Sequence, residues 1–249
     1  MVITSRKLEL ELGINSTIAN YFANERKVPE NNLFWNNKRI YISSGFGFLT
    51  IPMIFDLVHK CGVPLDILLN DGHVSLMEQG FHQLKLYENE EISFEEFLNG
   101  CKNLLQDKIK QPKLAADLFA LFSGKPSSYF TFETTHKALA RSDSFLFTLV
   151  DLDLSDEWIT QFLPYWYSLA RPILLLDDFK DLVEDRSSGE ENTIIELGDN
   201  VAAIEAAYNM GIADLELLAT INPQLAAFMR RFLNDALRYD YIRAELMKS

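Results

Sequence analysis

The chain has 249 residues, a formal net charge of −13 and a hydrophobic share of 48%, enough for one large domain or two small ones around a sizeable core. An acidic balance without a basic stripe argues against nucleic acid as a partner, because phosphates must be neutralised by clustered Lys and Arg. No uninterrupted apolar run reaches the length of a membrane span. The two thiols, Cys61 and Cys101, read as reduced cysteines of a cytoplasmic protein. The first residues also lack the apolar core and small-residue cleavage site of a signal peptide.

Taken in order, residues 1–40 read as a partly loose N-terminal arm, since Pro29 is followed by the turn-forming pairs Asn31-Asn32 and Asn36-Asn37. Phe46 to Lys60 is strongly apolar and reads as a buried helix that Gly62-Val63-Pro64 ends. Leu65 to Leu86 reads as the next helix, with Pro64 just ahead of its first turn. Ser93-Phe94-Glu95-Glu96 has the spacing of a capping box and predicts a helix to about Ile109. Pro112 starts another, running to Phe122. Ser123-Gly124-Lys125-Pro126 is a turn, and Tyr129 to Ala140 has helical periodicity before Ser142-Asp143-Ser144 interrupts it. Ser155-Asp156-Glu157 predicts the start of a long helix through Pro164 and Pro172. Thr193 to Met210, Asp214 to Ile221 and Pro223 onward complete the helices. No strand pair or hairpin turn is apparent, so the expected fold class is all-α, a single-domain bundle.

The long helix ends in the most informative stretch of the chain. Leu174-Leu175-Leu176 leads into Asp177-Asp178-Phe179-Lys180-Asp181-Leu182-Val183-Glu184-Asp185, without Gly or Pro. Asp177, Asp181 and Asp185 recur at i, i+4 and i+8, so on a helix they share one stripe, drifting about 80° over about 12 Å. Like charges at that spacing repel. Mg²⁺ would relieve the conflict, because it takes oxygen ligands and bridges carboxylates to phosphates. A solvated acidic face is the plainer alternative.

These residues resemble a known pattern. Asp177-Asp178-x-x-Asp181-x-x-x-Asp185, followed by Gly189 and Asn192, is similar to the second metal-binding motif of class I terpene synthases, and its Asp-Asp-x-x-Asp core to the second aspartate-rich motif of prenyl diphosphate synthases. Asp181-x-x-Glu184-Asp185 similarly resembles squalene and phytoene synthases. Near the C-terminus, Arg238-Tyr239 resembles the Arg-Tyr pair that closes over the diphosphate in bacterial terpene synthases. The resemblance implies an α-helical isoprenoid synthase fold and Mg²⁺ held by Asp177, Asp181 and Asp185, with Asp178 beside them. It also implies a prenyl diphosphate substrate and roles for Arg238 and Tyr239 on its leaving group. Arg141, just before Ser142-Asp143-Ser144, takes the place of the family's diphosphate-sensing Arg.

The family's first aspartate-rich motif is not reproduced. Asp66 and Asp71 are the best-placed acids for that role, and Asp56 is another choice. The expected activity is that of a Mg²⁺-dependent terpene synthase. A prenyl-coupling enzyme of the same fold and a non-catalytic isoprenoid-binding protein are the alternatives, and a homodimer is possible. The aromatics ahead of the motif, Phe162, Tyr165, Trp166 and Tyr167 among them, could line a dry pocket for a carbocation, although aromatics at helical spacing are more often core.

Overall fold

The computed structural model describes residues 4–27, 31–33, 46–134 and 136–247, and the side chains of all these except 46–50, 88, 140 and 141. The described residues are helical and contain no strand, as the sequence predicts. No helix among them is long and apolar enough to cross a membrane. Backbone contacts group the chain into two compact units. One comprises residues up to Leu10, Ile14–Thr131 and Phe145–Thr160; the other comprises Glu11–Gly13, Phe132–Ser144 and Gln161 onward.

The first unit opens with α1 (Ser5–Leu12) and α2 (Ser16–Asn20), followed by a π-helical turn, Tyr21–Glu25. Residues 5–25 therefore depart from the loose arm expected there, while 28–30 and 34–40 lie outside the described residues. The local cause is legible in retrospect. Asn15 caps α2 by accepting from the Thr17 N–H at 2.9 Å, and Ile18 and Phe22, one helical turn apart, are both fully buried. Phe22 meets Phe55 edge-on at 4.9 Å, which ties this segment to α3 (Phe46–Lys60). Within α3 the buried Asp56 accepts from the Asn15 N–H at 2.7 Å and from the Lys60 ammonium, so this carboxylate has a structural task.

The stretch expected as one helix from Leu65 is two, α4 (Leu65–Leu68) and α5 (Asp71–Glu88). Asn70 separates them by taking the Gly72 N–H onto its side chain, a cap that starts a new helix. The Ser93–Glu96 capping box is present at the start of α6 (Phe94–Leu105), and α7 (Pro112–Phe122) begins on Pro112. The helix expected from Tyr129 does not form. Ser128, Tyr129 and Phe130 instead donate their N–H groups to the buried carboxylate of Asp117, at 2.7 to 2.8 Å. Three bonds to one charged acceptor outweigh a weak helical period.

In the second unit, α8 is only Lys137–Ala140, capped by Glu196, and a 3-10 helix follows over Arg141–Leu149; its last residues, from Phe145, belong to the first unit. Helix α9 (Asp156–Ser188) starts in the first unit and continues unbroken through Pro164 and Pro172. It ends at Gly189, whose φ of +78° is the left-handed conformation that glycine adopts without steric cost. Beyond it lie α10 (Thr193–Glu196), α11 (Val201–Leu218), α12 (Pro223–Ala236) and α13 (Asp240–Leu246). Helix α11 crosses the break expected between Met210 and Asp214. At Gly211 a Cβ would lie 2.8 Å from the Leu233 side chain on α12, so the missing side chain lets the two helices pack closely.

Candidate functional site

The acids of α9 separate into two kinds. Asp178 and Asp185 are buried, at 2% and 8% exposure, and both serve the turn that follows the helix. Asn192, fully buried, donates its side-chain amide to the Asp178 carbonyl and to the Asp185 carboxylate, each at 2.7 Å. Its own oxygen caps α10 by accepting from the Ile194 N–H, while the Asp178 carboxylate accepts from the Thr193 N–H. The Asn of the motif thus works as a buckle that returns the chain onto the helix. Removing it orphans a buried carboxylate bond and a helix cap at once. Asn192→Ala is expected to lower unfolding stability by about 2 kcal/mol, measurable by denaturant titration.

Asp177 and Asp181 reach the surface. Asp177 is exposed, and the Asp181 side chain is one-third exposed. They sit one turn apart on one helix. Lys180 donates to both Asp181 oxygens, at 2.8 and 3.1 Å, and that bond together with the neighbouring charges raises the ammonium's pKa. Among the described residues no three His, Cys, Asp or Glu side chains converge to hold a metal ion. The stripe therefore does not form a complete cage. It does suit Mg²⁺, which characteristically takes one or two carboxylates and completes its shell with water and phosphate oxygens. Asp177 and Asp181 would supply those two, with the Asp185 oxygen not held by Asn192 next along the helix.

The C-terminal segment reaches this stretch through a residue absent from the sequence reading. The single proton of the Tyr241 hydroxyl is shared between the carbonyls of Phe179 and Lys180, each 2.7 Å away, fastening the start of α13 to the motif. Burial pushes its pKa up to about 12, and the nearby charges of Tyr239 and Asp181 add to this. Tyr239, which precedes α13, lies with its ring 5.6 Å from that of Tyr241. Arg238 extends into solvent, its side chain 78% exposed, and donates to Asp235 at 3.0 Å. Arg186 is engaged in a fork with Asp199. Arg141 opens the 3-10 helix, but its side chain lies outside those described.

Two turns ahead of the motif, α9 carries a buried polar cluster whose members sequence reasoning did not join. Arg171 forks onto Asp214 at 2.9 and 2.5 Å, lies 3.6 Å from Glu133 and covers the Tyr167 ring at 5.2 Å. Burial raises the Asp214 pKa and the Arg171 charge opposes that rise. Asp143, fully buried, accepts from the Thr134 hydroxyl at 2.5 Å, and its second oxygen completes no hydrogen bond. Burial pushes this carboxyl up to about 6, against the bond from Thr134 and the Tyr167 and Trp166 donors facing it. Phe162, Trp166 and Tyr167 are themselves buried to 2% exposure or less. No periodicity in 133–143 reveals this arrangement, because it rests on packing between distant segments.

In the first unit, Asp71 is tied to Arg26 at 2.5 Å. The same guanidinium, 10% exposed, forks onto the buried Glu78 at 2.8 and 2.6 Å and touches Ser75. Asp71 thus already has a cation, although its side chain is 88% exposed. Asp66 is exposed on α4 and borders a cleft with His73 and Asp151. Cys61 and Cys101 are free thiols, pushed up to about 11 and about 12 by burial, and so are poor nucleophiles. No family model, curated protein or solved structure matches the chain.

Proposed function

We propose that the chain is a Mg²⁺-dependent class I isoprenoid synthase, acting as a terpene synthase on a linear prenyl diphosphate. The observation that carries this reading is the pair Asp177 and Asp181. These two outward carboxylates lie one turn apart, beside a C-terminal segment that Tyr241 fastens to the same helical turn. When bound, Mg²⁺ supplies Lewis acidity, drawing charge from the diphosphate as it leaves. Asp177 and Asp181 fix where such an ion would rest, and Asp178, Asp185 and Asn192 hold that end of the helix in shape. Lys180 is an exposed cation at the same point, able to exchange Asp181 for a phosphate oxygen. Arg238, on an exposed side chain, can turn from Asp235 to a diphosphate, where guanidinium forms bidentate, charge-assisted bonds.

Arg26 pairs with both Asp71 and Glu78, so among the described residues the acids of α9 form the stripe best placed for metal. A coupling enzyme needs two diphosphates held at once, so one stripe favours ionisation of one substrate. The experiment is incubation with geranyl, farnesyl and geranylgeranyl diphosphate and Mg²⁺, with and without isopentenyl diphosphate. Mass spectrometry of the extract and a diphosphate assay provide the readout. A hydrocarbon or terpene alcohol with the carbon number of the one prenyl diphosphate supplied is expected, and a product of twice that number would assign head-to-head coupling. Product only in the presence of isopentenyl diphosphate would assign the coupling reaction, and tight binding without product would assign the non-catalytic alternative.

A further inference from the structure

The first unit contains a cleft of about 490 Å³ with no part in the reading above. It is bordered by α4 and the start of α5, by Asp107, Lys108 and Lys110, and by Asp151 and Leu152. The two loops are joined, because the Lys110 and Gln111 N–H groups donate to the Val150 carbonyl at 2.9 and 3.0 Å. The Gln111 side chain also donates to the Leu152 carbonyl. These bonds give the cleft a fixed frame.

His73 is 94% buried by its 6% exposure, packs its ring 5.6 Å from that of Phe55, and borders the cleft. Its Nδ1 lies 2.8 Å from an Asp151 carboxylate oxygen, so Nε2 is the ring nitrogen left for a ligand. A carboxylate behind an imidazole fixes its orientation and supports either a lone pair or a second N–H at the far nitrogen. Two cations, Lys108 and Lys110, and two further anions, Asp66 and Asp107, line the same cleft, and all four are exposed. With Asp151 engaged by His73, the remaining charges balance two against two. A simple anion would leave Asp66 and Asp107 as repulsive neighbours, and a simple cation would leave the lysines so. A ligand with both charges uses every group.

We propose that this cleft is a ligand site for a small zwitterion, a molecule with an ammonium group and a carboxylate or phosphate group. Asp66 and Asp107 take the ammonium, Lys108 and Lys110 take the anionic end, and the Nε2 of His73 hydrogen-bonds to that end. The volume suits a small metabolite, and the site stands independently of the acidic stripe on α9.

The chain has four histidines, so its imidazole nitrogens can be followed individually by NMR, with His73→Gln assigning the ring of interest. Phosphoethanolamine and β-alanine are the zwitterionic probes. Inorganic phosphate, acetate and ethylammonium are the single-charge controls, all in the presence of a chelator to exclude metal. At least one zwitterion should move the His73 signals saturably, with an affinity roughly tenfold or more above every control, since both of its charged ends are paired. The Lys108→Gln/Lys110→Gln and Asp66→Asn/Asp107→Asn proteins keep His73 and alter only exposed groups, and both should lose that affinity. Three results overturn the proposal: silence of His73 towards both zwitterions, equal response to phosphate alone, or tighter zwitterion binding in the Asp66→Asn/Asp107→Asn protein.

Discussion

If the chain acts as proposed, Asp181→Asn is expected to cut diphosphate release from a prenyl diphosphate by roughly a hundredfold or more, because one of the two carboxylates proposed to hold Mg²⁺ would be lost where leaving-group charge develops. The substitution keeps the shape of the side chain, and Asp181 is partly exposed and paired, among the described residues, with Lys180, so folding should survive. A second readout separates metal binding from turnover. Mg²⁺ and diphosphate added together should raise the melting temperature of the wild-type protein more than either alone, because phosphate oxygens complete the metal's shell. At saturating ligand, about a hundred times Kd, mass action contributes about 2.7 kcal/mol, or roughly 5–10 °C for a chain of this size. Asp181→Asn should abolish the joint shift, and Asp177→Asn should do the same. Asp178→Asn tests the division of labour among the acids. Its carboxylate faces the Thr193 N–H inside the protein, so it should lower stability while leaving a joint shift. A wild-type protein that melts alike under all these conditions would return the stripe to an ordinary solvated acidic face.

How much of this was legible in the sequence differs between features. The all-α class followed from periodicity and the absence of hairpin signals, and the capping box at Ser93 was readable because its two hydrogen bonds join residues three apart. The helix start at Pro112 was equally visible. What the sequence concealed depends on long-range partners. Asp117 pulls residues 128–130 out of a helix from eleven to thirteen positions away. Arg26 reaches Glu78 across 52 positions, and His73 meets Asp151 across 78. Within the motif, spacing placed Asp177, Asp181 and Asp185 on one stripe but could not show that Asn192 occupies one oxygen of Asp185. Tyr241 escaped notice for a related reason: its partners are main-chain carbonyls, which leave no sequence pattern.

Asp143→Asn is expected to change how stability depends on pH. Burial raises the folded-state pKa of this carboxyl to about 6, whereas in the unfolded chain it titrates near the usual value, about 4. Between those values the folded state holds a proton that the unfolded state has released. Stability therefore falls as pH rises from about 4 to about 6, and the cost is complete above that range. The full difference corresponds to roughly 3 kcal/mol. Asparagine has the same shape, can still accept from the Thr134 hydroxyl, and presents an amide N–H₂ towards the Tyr167 oxygen, which completes no bond in the native protein. The variant should thus be more stable than wild type at pH 7 and closer to it at pH 4, although other carboxylates titrate in both proteins. Denaturant titrations of the two proteins at pH 4, 5, 6 and 7 give the difference directly. A constant difference across that range would mean that Asp143 ionises equally well folded and unfolded, and that the buried cluster beside Arg171 solvates it fully. Asp143→Ala provides the control: it removes the ionisation too, but it leaves the Thr134 hydroxyl without its acceptor, so it should share the pH profile of Asp143→Asn at a lower stability.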